Sequence, residues 1–123
     1  MTNDEAPPAA AEIVATAWRT VLAYGPDRVD PAVPRAAYDH PALQELFPAV
    51  SHGVLYLSRC IRFPWTRDIG TAFPRAGGGY RVRRPSDNTL LGVTDTAQEA
   101  YRLIAAHLPG GCGPAIYGTA NDL

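Results

Sequence analysis

The order of hydrophobic patterns predicts an α+β fold. It reads as a two-layer sandwich: an antiparallel four-stranded meander with an N-terminal helix, a short helix and a C-terminal helix packed on one face. Three observations predict it. Apolar residues recur at helical spacing near both ends of the chain. The middle alternates with a period of two from Val54 onward. Glycine and proline clusters punctuate the alternating runs.

The elements follow in order. Residues 1–8 are polar with two prolines and are expected to be disordered, which leaves 9–123 as a single α+β domain. A helix is predicted from about Ala9 to Tyr24, with Ile13, Val14, Ala17, Trp18, Val21 and Leu22 as its apolar stripe. Gly25-Pro26 stops it. The connector DRVDPAVPRAAYDHP allows a helical turn near Pro34, since proline is tolerated in a first turn. Asp39 is the expected cap of a short helix PALQELFP, which buries Leu43, Leu46 and Phe47 and ends at Pro48.

VLYLSRCI is the first predicted strand. Leu55, Leu57, Arg59 and Ile61 share the face expected to meet the helices, with Val54, Tyr56, Ser58 and Cys60 opposite. FPW bends the chain, because Pro64 lacks a ladder donor. TRDIGTAF, YRVRR and TLLGVT are the next strands, separated by the turns RAGGGY and PSDN. TAQEAYRLIAAHL closes the order as a helix with Thr96 and Glu99 as a capping box and Ala97, Ala100, Tyr101, Ile104 and Leu108 inward. Ala115 to Tyr117 is expected as an edge strand in the tail.

Composition bounds the function. All 11 basic residues are arginine, so a lysine nucleophile or Schiff base is excluded. A net charge of -1 argues against nucleic acid as a general partner. No window has the apolar run a membrane helix needs, and the acidic start lacks the features of a secretory signal. The expectation is a cytoplasmic protein with Cys60 and Cys112 reduced. No metal is expected, because His40, His52 and His107 are scattered without ligand spacing. No cofactor is expected either. The glycines at 77–79 lack a following helix and a GK[ST] ending, and GCGPAIYGT opens no helix.

The segment SHGVLYLSRCIRFPWTRDIG concentrates the polar candidates. His52 and Asp68 are the candidate catalytic acid and base. Ser51, Ser58, Arg59, Arg62, Trp65 and Tyr80 are the candidate ligand-binding residues, with the arginines as an anion clamp. Arg59 stands on the apolar face of its strand and needs a partner there, and Asp68 is the expected one. A Cys60–His52 dyad is rejected, because eight extended residues span roughly 26 Å. Arg67, Arg81, Arg83 and Arg84 widen the basic surface if the strands bring them together.

The segments LQELFP, SHGVLYLSRC, FPWTRDI, GGGYRVRRPS and GCGPAIYGTANDL occur in that order over about residues 35–123. In this the chain resembles the actinobacterial domain-of-unknown-function family 6193, a family of small natural product biosynthesis proteins. It departs from the family pattern at Leu57, Ile61, Phe63 and Trp65, changes that keep the strand but alter any pocket it lines. The resemblance implies an accessory subunit of secondary metabolism that binds a partner enzyme or a pathway intermediate, with homodimerisation left open. The alternative is a small tailoring enzyme acting on an anionic or polar metabolite through His52 and Asp68.

Overall fold

The computed structural model describes residues 9–123. The expected disorder of residues 1–8 lies outside them. Helix α1 spans Ala10–Leu22 and buries Val14, Trp18 and Val21, the centre of the predicted stripe. Trp18 is 1% exposed, and its indole N–H donates to the Leu46 carbonyl at 3.0 Å. That bond satisfies the one polar group such a large ring takes into the core. Helix α2 spans Ala32–Tyr38, a full element where the sequence suggested a turn. Its start is set by Asp30, whose carboxylate accepts from the Ala32 amide at 3.0 Å. Asp39 ends α2 instead of capping the next helix.

The short helix is shorter than expected. Helix α3 covers only Pro41–Gln44, and Phe47 and Pro48 open a strand. Strand β1 (Phe47–Ser51) pairs antiparallel with β2 (Val54–Ser58), in register Pro48↔Leu57 and Ser51↔Val54. Pro48 is tolerated because β1 is the outer strand of a two-stranded ladder. The connection is a two-residue turn. His52 and Gly53 have φ of 53° and 76°, the two positive values a type I′ hairpin demands.

The single four-stranded meander is corrected to two sheets. One holds β1 and β2; the other holds β3 (Thr71–Pro74), β4 (Tyr80–Arg84) and β5 (Thr89–Thr94) in antiparallel order. β2 lies beside β3 without a ladder between them. The reason is in the connecting segment. Residues 59–70 do not extend as a strand, because their polar groups bond to one another and to the C-terminal tail.

Helix α4 (Ala97–Ala106) packs on β3, β4 and β5 with Ala97, Ala100, Tyr101 and Ile104 buried, as its periodicity predicts. Thr96 caps it by accepting from the Glu99 amide at 3.1 Å. Leu55, Leu57, Ile69, Ala72 and Val82 meet the helices in one core. Gly79 has φ 77°, and a Cβ there would overlap the Thr94 carbonyl, so the β3–β4 turn needs glycine at this position. No helix among the described residues is long and apolar enough to cross a membrane.

Candidate functional site

The stretch after β2 is a loop held by short polar bonds. The Ser58 hydroxyl accepts from the amides of both Cys60 and Thr66, each at 3.1 Å. The Thr66 hydroxyl accepts from the Arg59 amide at 2.8 Å. Together these two side chains close the loop at its neck. Inside it, the Cys60 thiol faces the carbonyls of Arg62 at 3.5 Å and Pro64 at 3.6 Å. Cys60 therefore lies buried among backbone acceptors rather than beside a base.

The C-terminal tail locks the other side. The Ile61 amide donates to the Ile116 carbonyl and the Arg62 amide to the Gly118 carbonyl, both at 3.0 Å. The Ala120 amide reaches Pro64 at 2.8 Å. The predicted edge strand thus reduces to one parallel bridge, Cys60↔Ile116. The sequence GTAND forms a capped 3₁₀ turn over Ala120–Asp122, in which the Asp122 carboxylate accepts from the Thr119 amide at 2.8 Å. A Cβ on Gly118 would overlap that carboxylate.

This rigid loop holds its aromatic rings outward. Phe63 is 77% exposed and Trp65 40% exposed. They meet edge to face at 5.6 Å, and Trp65 lies 6.0 Å from Phe47 on β1. The Trp65 indole N–H donates to the Ile61 carbonyl at 3.3 Å, which fixes the ring. Phe47 in turn walls a groove of about 440 Å³ shared with Glu12, Ile13, Thr16 and Ala17 of α1. The result is a largely apolar strip from Phe63 to α1. Sequence reasoning placed neither Phe63 nor Phe47 on a docking surface. Phe63 followed a strand pattern and read as a packing or pocket aromatic, and Phe47 read as a helix residue.

The predicted polar residues divide into separate places. Arg59 and Asp68 meet as expected: Nε and Nη2 donate to Asp68 Oδ2 at 2.9 and 2.6 Å. The carboxylate hydrogen bond and charge hold the Arg59 guanidinium above its ordinary pKa, against the opposing effect of burial. Cys112 shares this neighbourhood. Burial pushes its thiol up, Arg59 pulls it down, and Asp68 and Glu45 push it up further. Its thiol is therefore not the acidified kind that acts as a nucleophile. Both cysteines are free thiols.

Ser51 and His52 sit at the exposed hairpin corner, where the Ser51 hydroxyl contacts His52 Nδ1 at 3.0 Å. The whole of β2 separates them from the Arg59–Asp68 pair. Arg62 is exposed on the loop. Tyr80 follows the alternation of β4 onto the face of buried Val82, where burial and then Asp30 push its phenol up. It joins neither the loop nor the ion pair. Among the described residues, no three His, Cys, Asp or Glu side chains group as metal ligands.

No curated protein and no solved structure matches this chain. One family does: the sequence model of the family of unknown function DUF6193 matches residues 12–119, from the first turn of α1 through the tail that locks the loop, and the chain belongs to that family.

Proposed function

We propose that the chain is a small accessory subunit of natural product biosynthesis that docks on a partner enzyme through the Phe63–Trp65–Phe47 strip. The observation that carries this reading is the pair of large aromatic rings held in solvent by a locked loop. Exposed aromatic patches of this kind are typical of interaction sites, and rigid aromatic anchors dominate interface energetics. Pre-organisation lowers the ordering cost of association. The assignment to biosynthesis rests on the family resemblance alone.

The tailoring-enzyme alternative draws less support from the geometry. His52 and Asp68 lie beyond opposite ends of β2, and Asp68 is already engaged by Arg59. General acid–base work needs the two groups within reach of one substrate.

Affinity purification from a producing host tests the docking reading. The tagged chain is expected to retain one protein in fixed ratio, and Phe63→Ser with Trp65→Ser is expected to lose it while the fold persists by circular dichroism. Equal retention by the double variant would remove the strip from the account.

A further inference from the structure

The outer face of β3 and β4 carries a second surface. Register places Phe73 opposite Arg81 and Thr71 opposite Arg83, so these side chains share one face. The Arg83 guanidinium lies over the Phe73 ring, 4.8 Å from its centroid, and Tyr56 meets Phe73 edge-on at 6.3 Å. Two hollows adjoin here. The larger, about 380 Å³, is lined by Phe73, Pro74, Arg75, Ala76, Arg81 and Arg83. The smaller, about 130 Å³, is lined by Arg67, Phe73, Arg83, Pro85 and Asn88. Phe73 and Arg83 form the wall between them.

Four arginines therefore line these two adjoining hollows, and no carboxylate does. Among the described residues, none of the four makes an ion pair; the two ion pairs there are Arg59–Asp68 and Arg84–Asp87. Arg83 donates from Nη1 to Asn88 Oδ1 at 2.8 Å, yet its Nε is buried without a partner. A buried charged donor left unmet is costly, and a ligand oxygen would relieve that cost. The backbone holds the set in place. The Arg75 amide donates to Gly79 at 3.0 Å, and the Ser86 amide donates to the Arg67 carbonyl at 2.7 Å.

We propose that this surface binds a small molecule carrying a diphosphate group, with its phosphoryl oxygens on Arg67, Arg75, Arg81 and Arg83 and its carbon body against Phe73. Charge selects the class. A monocarboxylate offers a single negative charge to four guanidinium groups, whereas a diphosphate offers several charges and the oxygens for forked hydrogen bonds. This surface shares no residue with the aromatic strip, so it stands or falls apart from the docking reading.

Calorimetry on the full chain tests it, with inorganic pyrophosphate in magnesium-free buffer of low ionic strength. Saturable binding is expected, weakened about 10-fold in Arg81→Gln and again in Arg75→Gln, the loss expected for one charge-assisted hydrogen bond. Both side chains are exposed, so the variants keep the fold, as circular dichroism checks. Arg102→Gln on α4 is expected to bind as the wild type does. A nucleoside diphosphate is expected to bind tighter than pyrophosphate, through its carbon body on Phe73; equal affinity overturns that contact. Absence of binding at millimolar pyrophosphate overturns the proposal. So does unchanged affinity in both variants, equal binding of acetate, or binding of a single-stranded oligonucleotide alone.

Discussion

Arg59 and Asp68 meet through a single carboxylate oxygen. Arg59 Nε and Nη2 both reach Oδ2, and Oδ1 is left buried without a partner. The pair is therefore part-buried and incompletely satisfied. Its side chains are about a quarter exposed, at 23% and 26%, so its worth lies between an exposed pair and a buried one. Arg59→Ala is expected to lower stability by about 2 kcal/mol, since it strands the carboxylate. Asp68→Ala is expected to cost a similar amount. Urea denaturation of both single variants and the double should return a coupling of about 1 kcal/mol. Strictly additive losses would mean the two residues act separately.

The neck of the loop depends more on Ser58 than on Thr66. Ser58→Ala leaves two amides, those of Cys60 and Thr66, without an acceptor inside the protein. That substitution is expected to cost about 2–3 kcal/mol, and Thr66→Val, which strands the Arg59 amide and removes the 3.3 Å hydroxyl contact with Ser58, about 1 kcal/mol. Hydrogen exchange read over residues 60–66 should accelerate in Ser58→Ala, because the loop loses its closure. Exchange as slow as in the wild type would show that the tail alone holds the loop.

His52 occupies a left-handed position that histidine adopts at some cost. Asparagine is the residue most at home there in an Asn-Gly type I′ turn. His52→Asn is expected to raise the melting temperature by a few degrees, equivalent to about 0.5 kcal/mol or more. It should leave partner retention unchanged. A loss of stability, or a loss of function with the fold intact, would return His52 to the list of working residues.

Tyr101 brings a phenol into the core whose hydroxyl has no partner. Burial raises its pKa well above the tyrosine range, with a smaller push from Tyr80. The folded state thus holds this proton more tightly than the unfolded chain does. The stability linked to it is complete below the ordinary tyrosine value of about 10 and is lost as pH rises past it. Tyr101→Phe is expected to flatten the alkaline side of the stability profile and, by removing an unmet hydroxyl, to stabilise the protein at neutral pH by about 1 kcal/mol. A destabilised phenylalanine variant at pH 7 would reveal a hydrogen bond to that hydroxyl.

Local patterns carried much of the fold, and long-range bonds decided the rest. The stripe of α1, the Thr96 cap of α4, the alternation of β2 and β4 and the turn-bounded run of β5 are properties of neighbouring residues, so they were legible. The Arg59–Asp68 contact was legible too, because a guanidinium on an apolar face demands a partner and the chain turns back close by. β1 was hidden by Pro48, which reads as a helix stop unless the strand is known to be an outer one. The turn at His52-Gly53 was hidden for the same reason, since a hairpin turn is visible only when both strands are. Residues 66–70 read as strand because nothing local announces the bonds from Ser58 and the tail that hold the segment around them. Exposure was the least legible quantity. Phe63 differs from a core phenylalanine only in what surrounds it, and the arginine-lined surface exists only once β3 and β4 are in register.

Native mass spectrometry tests the central claim most directly, applied to the tagged chain isolated gently from a producing host beside its Phe63→Ser, Trp65→Ser variant. The account predicts a heteromeric mass of fixed stoichiometry for the wild type and the bare chain for the variant. A wild-type chain that runs alone, or a complex that survives both substitutions, would contradict it.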